Sequence, residues 1–291
     1  MTDVGRPKNE KANQQNNPVK QKTLMRKIIL IYLLSLTTNV AFAQYNQGAR
    51  LTAMGNASAA VFDTWSLNAN PAGITGQKSP TAALNYARYL FGDELSEQSF
   101  AFVLPFNNNF AGVSINRYGI SEYNEIKAGV GLAKKFGEEL SIGIKANIHQ
   151  IKITNYGNAT TFSVDAGVNY ALSKQIGLGL YVNNPSSQAY KAINAETYIP
   201  TAIHLGATYI PSNKVIIAAT VSKDFDRKFD VGVGVDYKFY ELLSLRGGLS
   251  AKPFKQYFGI GLNYQKLILD IAVESHPQIG YTPQIGLSYA F

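Results

Sequence analysis

The stretch from Phe229 to Phe239, FDVGVGVDYKF, alternates strictly between two kinds of side chain. Every odd-numbered position is apolar, whereas every even-numbered position is charged or glycine. This period of two is that of a β-strand, because successive side chains of a strand point to opposite faces. In a soluble sandwich a second sheet would cover the apolar face. In an outer-membrane barrel that face meets lipid, and the polar face lines the interior.

The same alternation recurs from residue 81 to the end of the chain, and it predicts an even number of strands. Most of these segments have about the nine to eleven residues that a tilted membrane-spanning strand needs. We expect an all-β fold, a 14-stranded antiparallel transmembrane β-barrel over 81–291, with short turns on one rim and longer loops on the other. The predicted strands are 81–90, 97–105, 110–117, 125–135, 139–152, 160–172, 175–183, 198–209, 214–222, 228–239, 242–252, 256–264, 267–275 and 283–291.

Composition agrees with a membrane barrel. Of the 291 residues 46% are hydrophobic and only 16% charged, against about 25% charged in soluble domains. The net charge of +8 is misleading, since residues 1–27 hold seven of the 27 basic and two of the 19 acidic residues. The remaining 20 basic and 17 acidic residues leave no basic patch for nucleic acid. The absence of cysteine excludes disulfides and thiolate metal sites.

The start of the chain predicts export. Residues 25–43 combine a basic start, a short apolar run and the small-x-small site Ala41-Phe42-Ala43, which is typical of a signal peptide cleaved after Ala43. The apolar run is too short for a membrane-spanning helix. Residues 1–24 are polar and without pattern, and we interpret them as an extension upstream of a true start at Met25. We therefore expect an outer-membrane location.

Residues 44–80 do not alternate, and they precede all the predicted strands. They are rich in small residues, with an Ala-rich turn at 57–62 that could be helical and a turn at Asn70-Pro71. Fourteen strands enclose more space than small side chains fill. We therefore expect this segment to fold inward as a plug, with Trp65 and Pro71 buried. The residues assigned to the plug or to a gate are Arg50, Met54, Gly55, Asn56, Trp65, Asn70, Pro71, Ala72 and Gly73.

Three motifs in this segment resemble a known group of barrels. GAR at 48–50, MGNA at 54–57 and NANPAG at 68–73 are similar to the opening of FadL-type outer-membrane barrels, particularly their PorV/PorQ branch. The resemblance implies a fourteen-stranded barrel with an inserted N-terminal segment. The PorP/SprF secretion proteins are a close rival, since they share the strand texture and an Asn-Pro-Ala element. The outer loops lack the long helical insertions of FadL transporters.

Charged residues on the polar faces of the strands are expected to line the lumen. Their mixed sign favours structural ion pairs over a charge-selective pore. They are Lys127, Lys145, Asp165, Asp230, Asp236, Lys238, Arg246, Asp270 and Glu274. Pairs of strand glycines at 129/131, 177/179, 232/234 and 259/261 fall on the same faces. Because no helix follows them, they are not phosphate loops, and we interpret them as room for the plug, with barrel curvature as the alternative.

No enzymatic site, metal site or cofactor is expected. His149, His204 and His276 lack metal-ligand spacing, and no serine is evidently paired with a histidine and an orienting group. The final strand ends in Tyr289 and Phe291, which resemble the terminal aromatic signal that the outer-membrane assembly machinery recognises.

The resemblance implies a non-enzymatic outer-membrane protein of PorV/PorQ type. Its role would lie in envelope transport or type IX-like protein secretion, with secretion-system proteins as partners. The alternative is a FadL-like passive channel for hydrophobic small molecules, and a second alternative is a purely structural barrel. Outer-membrane lipid and the assembly machinery are partners in each case.

Overall fold

The computed structural model describes residues 47–90, 94–192, 195–225 and 229–291. The predicted extension at 1–24, the signal peptide at 25–43 and residues 44–46 lie outside this range. Within it the chain begins with α-helix α1 (Gly48–Ala53) and two 3₁₀ helices, η1 (Thr64–Asn68) and η2 (Pro71–Gly76). No helix in the described part of the chain is long and apolar enough to cross a membrane.

Fourteen antiparallel strands close into a barrel, which confirms the predicted fold. Each strand pairs with its sequence neighbours, except that β7 pairs with β10 and the ladder of β1 with β16 closes the cylinder. The barrel strands are β1 (Thr81–Arg88), β2 (Ser96–Phe106), β3 (Asn109–Gly119), β4 (Tyr123–Phe136), β5 (Leu140–Ile153), β6 (Gly157–Ala171), β7 (Ile176–Asn183), β10 (Ala202–Ser212), β11 (Val215–Asp224), β12 (Asp230–Lys238), β13 (Leu243–Ala251), β14 (Phe254–Tyr264), β15 (Leu267–His276) and β16 (Gly280–Ala290).

Alternation places the two faces of each strand as the sequence predicts. On β12, Val231, Val233 and Val235 point outward and are exposed, whereas Gly232 and Gly234 point inward and are buried. Aromatic side chains flank the apolar belt near one end, as in membrane-interface girdles. These outward-facing aromatics are Phe106, Phe136, Tyr170, Tyr209, Tyr237, Phe239, Tyr264 and Tyr289.

The two rims differ less than predicted. We call the end that carries the β2–β3 and β4–β5 turns the short-turn rim, and its connections have two to four residues. On the opposite end, which we call the hairpin rim, four of the seven connections are also only two or three residues long. The expectation of systematically long loops there was wrong. Strands β4, β5 and β6 continue for 14 or 15 residues into segments predicted to be loops.

The one long connection, 184–201, contains an unpredicted hairpin of β8 (Ala189–Ala192) and β9 (Ala195–Tyr198). It follows β7, at the place where the β6–β7 ladder is shorter than the neighbouring β5–β6 ladder. The β5–β6 ladder extends to Ile153–Gly157, but the β6–β7 ladder stops at Asp165–Asn183. The part of β6 before Asp165 therefore has no partner on β7. The strand β8 packs against β6.

Candidate functional site

The segment 47–80, which we call the inserted segment, lies inside the barrel. Four apolar clusters of described residues join it to the wall, and the two largest are the following. Leu51, Met54, Ala57, Val61 and Trp65 pack on Ala83, Ala101 and Ala218, while Leu67 and Ile74 pack on Val103, Phe110 and Ala133. Trp65 and Pro71 are both buried, as expected. The suggested helix at 57–62 was wrong: that stretch is a turn, and the α-helix precedes it.

Inward-facing glycines admit this segment. A Cβ on Gly143 would lie 2.5 Å from the backbone of Pro71 and Ala72, and a Cβ on Gly234 would collide with the Met54 carbonyl. Of the eight glycines singled out from the sequence, those facing the inserted segment are Gly131, Gly179, Gly232, Gly234 and Gly259. The other three face wall side chains: Lys145 and Asn147 for Gly129, Thr208 for Gly177 and Arg246 for Gly261. Close approach explains most of these glycines.

The MGNA motif turns the chain after α1. Gly55 and Asn56 have φ values of +66° and +56°, a left-handed conformation that glycine and asparagine adopt most readily. A Cβ on Gly55 would lie 2.7 Å from the carbonyl oxygen of Val233. The motif therefore serves both the turn and the close contact with β12.

The NPAG motif starts η2 and fastens it to β6. The Asn70 Oδ1 accepts from the amide of Ala72 and thereby caps the start of η2. Pro71 follows as the first residue of this helix, where its missing N–H costs no hydrogen bond. The Asn70 Nδ2 donates to the carbonyls of Ala59 at 2.6 Å and Val168 at 3.1 Å. Ala72 and Gly73 are buried behind it. One asparagine thus joins two parts of the inserted segment to the wall.

A chain of ion pairs links the inserted segment to β12, β13 and β15. Arg50 Nη1 lies 2.6 Å from Asp63 Oδ2, and Arg50 Nε lies 3.0 Å from Asp236 Oδ2. Asp236 also pairs with Arg246 at 3.1 Å, and Arg246 pairs with Asp270 at 2.6 Å. The pairing of lumen charges was expected, but the link through Arg50 and Asp63 was not.

Arg50 remains a cation in this setting. Burial alone would lower the pKa of its guanidinium, but the carboxylates of Asp236 and Asp63 more than offset that effect. The pKa therefore lies above its ordinary value. Arg50 consequently stays protonated, and the ion pairs that hold the inserted segment are not lost through its deprotonation.

A second cluster lies on β4, β5 and β6. Lys127 Nζ is 3.6 Å from Asp165 Oδ2, and the fully buried Lys145 donates to Asn68 Oδ1 at 2.8 Å. Asp165 also accepts from Asn147 Nδ2 and from the backbone amide of Asn184. The carboxylate of Asp165 therefore connects the wall to the base of the hairpin segment 184–201.

Asn184 organises that base. Its side chain bridges the backbone of Gln188 and Ile199, and its carbonyl accepts from Thr201 Oγ1 at 2.8 Å. Tyr190 of β8 and Ile199, which follows β9, are both buried. The segment is thus anchored over the interior at the gap between β6 and β7.

The other predicted lumen residues lie nearer the rims. Asp230 accepts from the amides of Ala251 and Lys252 at the hairpin rim. Glu274 pairs with Lys255 at 2.8 Å, and Lys238 is half-buried near the short-turn rim. Tyr289 and Phe291, the predicted assembly signal, are exposed and in edge-to-face contact.

Two histidines contact serines on neighbouring strands, which the sequence did not suggest. His149 Nε2 lies 2.8 Å from Ser163 Oγ, and His204 Nδ1 lies 2.8 Å from Ser222 Oγ. The ring of His204 also stacks on Tyr181. The described residues contain no group of three or more His, Asp or Glu side chains that could hold a metal ion.

Asp63, Asn68 and Asn184 are the main residues whose roles the sequence analysis missed. Asp63 carried a signal, because its side chain caps η1 by accepting from the amide of Trp65. Asn68 and Asn184 act through contacts with Lys145 and Asp165 on distant strands. Spacing along the chain does not report such contacts.

Comparison with known proteins gives a structural likeness only. No protein-family model and no curated protein match the sequence. Among solved structures, the toluene transporter TodX of P. putida aligns with a TM-score of 0.66 and 12% identity, covering 84% of this chain and 98% of TodX. The fold is shared.

Two further solved structures align equally well. The CymD monoaromatic hydrocarbon channel has a TM-score of 0.67 and 12% identity, over 85% of this chain and 99% of CymD. A FadL homologue of Pseudomonas aeruginosa has a TM-score of 0.64 and 13% identity, over 86% and 99%. The expected FadL-type fold is therefore confirmed, whereas the PorV/PorQ and PorP/SprF assignments stay predictions.

Proposed function

We propose that this protein is an outer-membrane barrel that lets small hydrophobic molecules cross passively. The supporting observation is the fold likeness to channels described as transporting toluene and monoaromatic hydrocarbons. In this proposal, the inserted segment narrows the lumen, so that the barrel excludes large polar solutes. The outward apolar belt and its aromatic flank at the short-turn rim suit a lipid environment.

Uptake of a radiolabelled hydrocarbon tests this function. Gram-negative cells without a hydrocarbon channel would produce the protein, and the initial uptake rate of toluene would be compared with that of vector-only cells. We expect a several-fold faster rate. The lipid-facing variant Val221→Ala is the matched control and should retain that rate. No increase, in cells whose outer membrane holds the folded barrel, would contradict the channel function.

A second candidate is a partner-dependent role in envelope transport or type IX-like secretion. Its support is the motif resemblance over 48–73, together with the fastening of that segment by ion pairs and close backbone contacts, which would suit a barrel with a closed lumen. Purification in mild detergent tests it. Co-purifying envelope proteins without hydrocarbon uptake would favour this role over the channel.

A further inference from the structure

The inner wall of strands β1–β5 carries polar atoms with unmet hydrogen bonds. Five such atoms have no partner among the described residues, and each of their side chains is at most 4% exposed. We call this set the polar patch. It comprises Asn85 Nδ2, Ser99 Oγ, Ser114 Oγ, Asn116 Nδ2 and Asn147 Oδ1.

The members of the polar patch are neighbours across the sheet. Asn85 pairs in register with Ser99, and Ser99 with Asn116. Ser114 lies two residues before Asn116 on β3, on the same inward face. Its register partner Gly129 is opposite Asn147. The five residues therefore occupy adjacent inward-facing positions of the sheet.

This surface contrasts with the rest of the lumen. Along β12, β13 and β15 the inserted segment is matched to the wall by ion pairs and by glycines that accept its backbone. A buried polar atom without a partner costs about 1–3 kcal/mol, and native proteins contain few. Asn85 Oδ1 accepts from the amide of Ala49, and Asn116 Oδ1 accepts from Asn68 Nδ2, so both side chains contact the inserted segment through one amide atom only. The five remaining atoms are donors and acceptors that neither the inserted segment nor the wall satisfies among the described residues.

The chemistry of the polar patch favours a neutral polar group. It offers amide donors, an amide acceptor and two hydroxyls, which both donate and accept. The nearby charges are already engaged, since Lys127 pairs with Asp165 and Lys145 donates to Asn68. A hydroxyl or amide on the ligand would satisfy the patch without a counter-charge.

Apolar side chains lie directly beside the polar patch. Ala83 and Ala101, each two residues from a patch member on the same strand, pack in one cluster with Trp65 and Leu51. The Leu67 side chain reaches Gly112, the inward neighbour of Ser114. A ligand held here would have an apolar body next to its polar group.

We propose that the polar patch binds small apolar solutes that carry one neutral hydroxyl or amide group, at the boundary between the inserted segment and strands β1–β3. The inference rests on the proposed channel function and narrows its solutes. Pure hydrocarbons would bind this boundary more weakly than their alcohols.

Trp65 is the only tryptophan of the chain, and it lies in the cluster beside the patch. Contact quenching of its fluorescence can therefore report occupancy. We would compare 2,2,2-tribromoethanol with bromoform, two brominated quenchers that differ in the hydroxyl. A Trp65→Phe variant that also carries Phe258→Trp on the exposed outer face measures how much of each quencher enters the detergent or lipid.

After this normalisation, tribromoethanol should quench Trp65 about fivefold more strongly than bromoform, as expected for one net hydrogen bond. The double variant Ser99→Ala and Ser114→Ala removes two unpartnered hydroxyls and should abolish the preference. Ser244→Ala, a buried serine on the opposite wall, should preserve it. If the double variant does not fold, Ser99→Ala alone should at least halve the preference.

The outcomes separate the two proposals. Equal quenching by both compounds, or a preference that survives Ser99→Ala and Ser114→Ala, would overturn the patch as a binding site while leaving hydrocarbon uptake intact. Trp65 inaccessible to both quenchers, together with no toluene uptake in cells, would overturn the channel function as well.

Discussion

Arg50 of the inserted segment contacts Asp236 on the inner face of β12, with Arg50 Nε donating to Asp236 Oδ2 at 3.0 Å. The two residues are 186 positions apart in the chain. Asp236 also forms an ion pair with Arg246, and Arg50 also forms one with Asp63. The inserted segment and the wall therefore share one charge network.

Removing Arg50 should destabilise the protein strongly. Arg50→Met leaves Asp63 without its ion-pair partner and Asp236 with Arg246 alone, and breaking one side of a buried pair costs about 3–5 kcal/mol. The measurement is the free energy of unfolding in urea, with the barrel in lipid vesicles. Lys135→Met, which breaks the exposed pair with Glu138, should change it little. Arg50→Met within about 1 kcal/mol of wild type would show that the network does not hold the segment.

Two substitutions at Asn70 separate its cap from its wall contacts. Asn70→Asp retains the oxygen that caps η2, but it places a carboxylate oxygen against the carbonyls of Ala59 and Val168. Asn70→Ala removes both functions without adding a charge. We expect the aspartate to be worse than the alanine, which itself should cost about 1–3 kcal/mol. Urea unfolding measures both. The reverse order would mean that the cap matters more than the contacts with the carbonyls.

The two faces of β12 give a third comparison. Val233→Arg places a charge on the lipid face and should cost about 2–4 kcal/mol if it lies near the bilayer midplane. From alternation alone Gly234→Ser would be the milder change. The structure reverses that expectation, because the Met54 carbonyl occupies the space of the new Cβ. Folding yields into vesicles compare the two variants, with Val233→Ala as the control. A fully tolerated serine would mean that Met54 does not press on β12.

The hairpin segment gives a fourth test, which uses the lack of native cysteine. Tyr190→Cys should react slowly with a bulky maleimide, because Tyr190 is buried, whereas Tyr156→Cys, at an 88% exposed position, should react fast. Adding Asn184→Ala removes the side-chain bridge to Gln188 and Ile199, which consists of three hydrogen bonds. Their loss should exceed about 1.4 kcal/mol and raise the rate at position 190 about tenfold or more. Equal rates at 156 and 190 in the parent would show that the hairpin does not cover the interior.

Much of the barrel could be predicted from the alternation of side chains along its strands. Lipid on the outer face and the inserted segment on the inner face select different residues, and this gives the sequence a period of two. The alternation at Val231, Gly232 and Val233 reports both faces of β12 directly. Strand ends were less accurate: β6 continues to Gly157 through residues assigned to a loop. The alternation of apolar and polar residues weakens in the part of β6 before Asp165, because β7 does not pair with that part.

The site could be predicted only in part. Burial of the inserted segment followed from its apolar residues and from the empty volume of a fourteen-stranded barrel. The partners of Arg50 and Asn70 did not follow, because they depend on how the inserted segment is oriented within the lumen. The partners of Asp165 depend on strand register and on the base of the hairpin segment. The short helix α1 carries no acidic residue or side-chain cap at its start, so local signals placed the helix wrongly at 57–62.

Single-channel conductance of a protein that lacks residues 48–73 tests the central claim that the inserted segment narrows the lumen. Barrel assembly would first be verified by heat-modifiable migration on gels, and the wild-type protein would be recorded under the same conditions in planar bilayers. The account predicts a clearly larger conductance for the assembled deletion variant. An assembled variant with unchanged conductance would contradict it, and would mean that the segment does not limit passage through the barrel.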